Sequence, residues 1–296
     1  MTRKILSYLL WPALLISGIA ITQIGFDLGH PMIGFNAAYA LIVIALLVLE
    51  RRMPHEEQWK ASDGQFWADI GHTLVSKGAV QAVILFGGII GLSEIIKPSV
   101  DLEGGLWPTH WPQAAQIVLA LIVAEFGLYW AHRIAHEWKP LWPFHAIHHS
   151  VERLWVVNTG RFHFVDTLVS IILGIGCLLI AGAPLEMIQW LSAVTAFIGV
   201  LTHCNIEMRF GFLSWIFNTP ELHRWHHSRD LSEGNRNYGE NLMLWDHVFR
   251  SYFRDEKRRP PVNVGLPEQV PQRFIKQLSY PFHRLRTYST WEFHKE

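Results

Sequence analysis

The stretch AHRIAHEWKPLWPFHAIHHS, Ala131 to Ser150, places five of the chain's seventeen histidines within a few helical turns, and ELHRWHHS, Glu221 to Ser228, echoes it downstream. Neutral imidazole is available at physiological pH and is the commonest protein ligand for transition metals. His132 and His136 lie four apart, so on a helix both rings leave one face. His145, His148 and His149 form an H-x-x-H-H set, and His223, His226 and His227 repeat it. In each such set the first and second histidines are expected to share a face, with the third on a neighbouring one. One histidine pair at helical spacing is ordinary surface decoration, but three sets in one chain are not. Eight histidines exceed what one tetrahedral ion accepts, and two metals sharing them is the simpler account.

Other polar residues stand where they could serve these ligands. Glu125 lies two helical turns before His132 inside an apolar run, where a carboxylate is costly and marks function by default. It is expected to accept an N–H from a ligand imidazole, or to pair with Arg133, because metal-bound histidines donate their other nitrogen. Asn158, Arg161, His163 and Asp166 are more polar groups than a plain turn needs, and are expected to support the ligands, with His163 either a further ligand or a support. The segment THCN puts His203 and Asn205 at the end of another apolar run, with His203 as a further ligand. Asn237-Tyr238-Gly239 reads as a turn and Asp246 as a supporting anchor. His55 and His72 are expected to be interfacial bystanders.

The elements that must position these residues are apolar. Half the residues are hydrophobic, fourteen are Trp and the formal net charge is zero, a composition richer in apolar residues than an ordinary soluble domain. No polyanionic partner is implied and nucleic acid is excluded on charge. Two cysteines, Cys177 and Cys204, give neither a disulfide framework nor a thiolate metal motif. Six segments approach the length of about 20 residues that spans a bilayer: 5–26, 35–49, 79–96, 114–130, 165–183 and 187–201. The last two are expected to form one helical hairpin, and the Trp-bearing connection 53–69 an interfacial amphipathic helix. Arg3, Lys4, Arg51, Arg52, Arg133, Lys139, Arg153 and Arg161 fall on one side of this alternation and only Lys97 on the other. By the positive-inside rule the N-terminus and every clustered histidine are cytosolic. The fold class is therefore all-α, a polytopic membrane bundle with a cytosolic histidine-rich cap. The organisation is anchor spans over 1–112, a histidine-bearing region over 113–255 and a cytosolic tail over 256–296, in one structural domain.

The order HRIAH, HAIHHS, RFH, HCN, ELHRWHHS, NYG, WD resembles the fatty acid hydroxylase superfamily, also called the sterol desaturase family, over about Glu125 to Tyr252. The resemblance implies a membrane di-iron oxygenase whose histidine boxes lie on the cytosolic side. His132 and His136 match the first box, His145, His148 and His149 the second, His223, His226 and His227 the last, and His203 the extra histidine before it. Phe164 departs from the proline found in many members, and Glu125 and Asp166 exchange carboxylate length relative to the usual pattern. The implied cofactor is two irons, and the implied reaction uses O2 to hydroxylate or desaturate a lipid C–H bond. The chain has no haem, flavin or iron–sulfur module, so an external donor of ferredoxin, cytochrome or reductase type must supply electrons. The competing readings are a histidine-rich metal transporter and a membrane zinc hydrolase. A transporter would place its ligands near mid-membrane, and a hydrolase needs only three.

Overall fold

Long apolar runs fold in a bilayer as helices, because only internal hydrogen bonds can satisfy the backbone there. The computed structural model describes residues 3–80 and 106–292. Helix α1 is Arg3–Asp27 and α2 is Pro31–Arg52, with proline at the first turn of α2, where a missing N–H costs nothing. Helix α3, Phe66–Gly71, runs on into a wide turn at His72–Lys77. Helix α4 is Gln113–Glu137, α5 the short Trp142–His149, α6 Phe164–Ile180 and α7 Leu185–Thr202. The short α8 is Pro220–His226 and α9 is Phe274–Glu292. No strand occurs among the described residues, where two isolated bridges, Phe217 with Leu242 and Ser228 with Val264, are the only extended pairing.

Four helices, α1, α2, α4 and α7, are long and apolar enough to cross a membrane, and α6 is a shorter apolar helix. The expected third span, 79–96, lies almost wholly outside the described residues. The run expected at 35–49 is too short to span, but the helix extends it at both ends to 22 residues. The fourth run continues past Trp130 to Glu137, so His132 and His136 belong to the same helix that crosses the apolar layer.

The expected hairpin of the last two runs is not what forms. Helix α6 packs along α4, while α7 packs against α4, α1 and α2 instead of along α6. Small residues decide this: a Cβ on Gly127 of α4 would collide with the Leu173 and Gly174 backbone of α6. Helix α7 instead buries Trp190, Phe197, Ile198 and Leu201 in a core shared with Trp11, Ile42 and Leu46. Helices α1 and α2 cross closely at Gly25 and Gly34, where a Cβ would lie 2.7 Å from the opposite Cα.

The connection 53–69 also differs from expectation. It is a short turn, Glu57–Lys60, followed by α3, and it forms the base beneath α5. Trp59 is buried and donates from Nε1 to the Val262 carbonyl at 3.1 Å, and only Trp67 is exposed. His72 is fully buried between Phe162 O at 3.0 Å and Gln277 Oε1 at 2.9 Å, so it joins α3 to α9 rather than facing an interface. Helix α9 packs on α5 and α3, and the segment before it meets this base where Val262 O accepts from Trp59.

The start of α1, the ends of α2, α4 and α7 and the start of α6 all lie at one end of the bundle. Arg209 N meets Ser7 O there at 3.0 Å, and Glu50 at the end of α2 accepts from Val156 N and Asn205 N at 2.8 Å each. The opposite end carries the turn at Leu28–His30 and the contact of Gln113 with Glu186. The described connections there, 28–30, 106–112 and 181–184, contain no Lys or Arg. The Lys and Arg excess therefore predicts a cytosolic histidine end. In a background lacking native cysteines, a membrane-impermeant thiol reagent added to intact cells should label His30→Cys and spare Lys139→Cys. The reverse pattern would invert the topology.

Candidate metal centre

Each histidine reaches the site from a helix end. His132 and His136 lie one turn apart at the end of α4, His203 follows the last residue of α7, and α5 and α8 each carry one H-x-x-H-H set. The nine rings divide into two groups. His132, His136, His145, His149 and His226 form one, His148, His203, His223 and His227 the other, and within each group the ligand nitrogens lie within 4.8 Å of one another. Each short helix therefore gives two histidines to one group and one to the other. The pairs four apart, His145 with His149 and His223 with His227, stay together, while His148 and His226 cross over. The expectation that the first and second histidines of a set act together is corrected: a step of four returns closer to the same helical azimuth than one of three.

The contacts within each group are close. His149 Nε2 and His226 Nε2 are 3.0 Å apart, His223 and His203 Nε2 2.8 Å, and His227 Nε2 lies 3.1 Å from both His148 and His223. Imidazole nitrogens about 2.1 Å from one ion are roughly 3.0–3.4 Å apart at octahedral to tetrahedral angles, so these separations suit a shared ion. Nε2 of His132, His136 and His145 is buried without a partner among the described residues, a costly arrangement for a polar atom unless something binds it. The residues fit metal.

The opposite nitrogens explain the ring orientations. Nδ1 of His132 meets Tyr238 O at 2.7 Å, that of His136 Asn235 Oδ1 at 3.1 Å and that of His145 Asp166 Oδ2 at 2.9 Å. Nδ1 of His203 meets Asn158 Oδ1 at 2.9 Å and that of His226 Arg236 O at 2.7 Å. With a proton donated from Nδ1, Nε2 keeps its lone pair for a metal. His148 is fixed differently, stacked on Phe162 with ring centroids 4.2 Å apart.

The polar residues expected to support ligands separate under this test. Asp166 and Asn158 touch ligand rings directly. Asp246 acts at one remove, accepting from Tyr238 N at 2.8 Å and Gly239 N at 2.7 Å and so fixing the carbonyl that holds His132. Glu125 contacts neither an imidazole nor Arg133. Its carboxylate accepts from the Glu240 and Asn241 backbone and from Asn241 Nδ2, because that loop inserts against α4 at its level, and Arg133 pairs with Glu137 and Tyr129. Arg161 binds Asp69 Oδ1, Gln65, Ser150 and Ile147 O, pinning the end of α5 to α3. His163 caps α6 by accepting from Val165 N and meets Leu278 O. Asn205 bonds to the Glu56 backbone. These last three organise backbone away from the rings.

The loop Asn235–Tyr238, which overlaps the expected turn Asn237–Gly239 but carries no expected role at the site, holds three ligand rings. Asn237 adopts φ 55°, tolerated by asparagine, and its side chain ties the loop to Leu222 O and to Phe253 at both N and O. Its place directly after the third box was the available signal.

Burial, and then neighbouring imidazoles, hold His148, His149, His226 and His227 well below the ordinary histidine range; burial does the same for His203, and His223 is pushed down to about 3. A cavity of about 80 Å³ opens onto both groups, lined by His132, His145, His148, His203 and His223.

A fatty acid hydroxylase family model matches residues 117–251, the segment that contains every clustered histidine. An ornithine lipid hydroxylase of Rhizobium tropici is 48% identical over 280 residues, covering 94% of this chain and 84% of the relative. The chain belongs to the fatty acid hydroxylase superfamily. Within the superfamily, an alkylglycerol monooxygenase of Xenopus tropicalis is 29% identical over 51% of this chain and 35% of its own length. A Delta(7)-sterol 5(6)-desaturase of Gibberella zeae is 22% identical over 79% of this chain and 71% of its own length. No solved structure matches. Membership and the apolar helices make this superfamily chain an integral membrane oxidoreductase of lipids.

Two predictions follow from this geometry. Asp166→Ala and Asn158→Ala, which each free a ligand ring, should lower metal retention about 10- to 100-fold, whereas His163→Ala, which touches no ligand, should leave it unchanged. Elemental analysis after dialysis against a chelator distinguishes them, and equal losses in all three would refute the assignment. The second concerns pH. The imidazoles of His148, His149, His203, His223, His226 and His227 are neutral when folded and take up protons on unfolding below their ordinary value. The metal-free protein should thus hold its full stability above about pH 6.5 and lose it as pH falls from there toward the folded-state value near 3. A melting temperature in detergent that stays flat from pH 8 to pH 5 would contradict this.

Proposed function

We propose that this chain is a di-iron lipid hydroxylase, with the five-histidine and four-histidine groups each holding one iron. The observation that carries the reading is the division of nine imidazoles, eight of them buried and His136 half-buried, into two adjacent groups whose free nitrogens converge. An iron pair held there supplies O2 activation and attack on an unactivated C–H bond. In balance, one oxygen atom enters the C–H bond and the other leaves as water, with two electrons and two protons drawn from an external ferredoxin, cytochrome or reductase. An all-imidazole ligand set differs from the Glu and Glu-x-x-His ligands of soluble di-iron bundles.

The chain's own residues bind and orient. Asp166, Asn158, Asn235 and the carbonyls of Arg236 and Tyr238 hold five rings with Nε2 directed inward. Burial excludes bulk water from the two groups. The cavity is bounded on its membrane side by Ser170 of α6 and Thr195 and Gly199 of α7, so a lipid reaches the histidines from the level of the apolar helices. The substrate class we propose is an ornithine lipid, as named for the Rhizobium tropici relative. The clustering of ligands at helix ends, away from mid-membrane, favours this reading over a transporter.

Purified protein from iron-replete cells should carry about two irons per chain, and lipid extracts of cells with the gene should contain an ornithine lipid bearing one additional oxygen. His148→Ala and His226→Ala, which remove one ligand from each group, should abolish that product and lower bound iron while the protein still inserts. One zinc and no iron, or full activity in either variant, would overturn the proposal.

A further inference from the structure

We propose that the cavity beside the histidines is a receptor for the zwitterionic polar end of a lipid, with Lys77 meeting a carboxylate and Glu240 an ammonium. This rests on the lipid hydroxylase reading and adds which part of the lipid the site recognises.

The observation is the character of the cavity wall. A site for a hydrocarbon chain is lined with apolar side chains. Here, apart from the histidines and from Asp166, whose carboxylate is taken up by His145 Nδ1 at 2.9 Å, the lining includes Lys77, Glu240, Thr159, Thr195 and Asn218, with Phe162 as its one large apolar side chain. Three of these have a buried oxygen without a partner among the described residues: Thr159 Oγ1, Thr195 Oγ1 and Asn218 Oδ1. An alkyl chain filling the space would leave those oxygens and two charges desolvated, each at a cost that a hydrogen-bonding ligand removes.

The two charges are arranged for a ligand that carries both signs. Lys77 leaves the wide turn after α3, its Nζ 5.9 Å from the Phe162 ring centroid, and Glu240 leaves the loop after the third histidine set. Each lies within the other's electrostatic reach, yet no direct ion pair joins them. The backbone N–H of Glu240 is held by Glu125, which gives that buried carboxylate its purpose: it fixes the loop from which Glu240 enters the cavity. A ligand with a carboxylate and an ammonium a few bonds apart would bridge the pair, and its hydrogen-bonding groups would meet the three orphaned oxygens.

The test compares three acylated probes that differ only in charge. N-palmitoyl-ornithine has both groups, N-palmitoyl-norvaline lacks the ammonium and N-palmitoyl-putrescine lacks the carboxylate. Binding to the full-length protein in nanodiscs is measured for the wild type, Lys77→Met and Glu240→Gln, with iron content determined on the same samples. The wild type should prefer N-palmitoyl-ornithine over either truncated probe by about 10-fold or more, as charged hydrogen bonds do. Glu240→Gln should erase the preference over N-palmitoyl-norvaline only, and Lys77→Met the preference over N-palmitoyl-putrescine only. Equal weakening of all three probes, no discrimination by the wild type, or unchanged preferences in both variants would each overturn the receptor. Discrimination in protein that holds no iron would instead remove the hydroxylase reading and leave the receptor standing.

Discussion

The structure depends on holding nine imidazoles together and pointed inward at one end of a helical bundle. A buried histidine is tolerated only when its nitrogens are satisfied, and here five of the rings are satisfied on the Nδ1 side by protein acceptors. That leaves the Nε2 lone pairs as the unspent binding capacity of the site. The Arg161–Asp69 pair and the Glu50 carboxylate at this end of the bundle fix backbone from which those acceptors or rings project.

The membrane helices and the base have different tasks. Helices α4 and α7 bring His132, His136 and His203 to a common level because both end there, and their packing is set by small residues and a shared apolar core. The base, made of α3, α5, α8, α9 and the loops between them, lacks the length to stand as an independent bundle. It is tied together by side-chain to backbone bonds: Arg153 to Trp59 O and Ala61 O, Arg224 to Cys204 O, Asn237 to Leu222 O. Such a polar layer specifies one arrangement more sharply than apolar packing would, because every unpaired group in it is penalised.

Two sides of the site serve two needs. Trp142, half-buried, lies against His136 and His149 of the five-histidine group, on the side away from the cavity. The cavity reaches His148, His203 and His223 of the other group together with His132 and His145. The cavity wall formed by Ser170 of α6 and Thr195 and Gly199 of α7 is therefore shared by both groups.

The sequence by itself determined which residues gather and at which end of the bundle. Three histidine sets at helical spacing, a fourth contribution from His203 and the distribution of Lys and Arg needed no tertiary information, because spacing along a helix and charge across a bilayer are local rules. It also determined four of the spans, apart from their ends and the length of α2, whereas 165–183 forms the shorter helix α6 and 79–96 lies almost wholly outside the described residues. Only the tertiary structure decided that each H-x-x-H-H set is divided between two groups, since that depends on how α5 and α8 face each other. It alone showed Asn235–Tyr238 to be the support for three rings: two of those contacts use main-chain carbonyls, which carry no residue signature. Glu125, Arg161 and His163 were legible as buried polar groups, but their partners lie on other elements. A sequence reveals that a buried charge must be satisfied, whereas only the fold brings up the group that satisfies it.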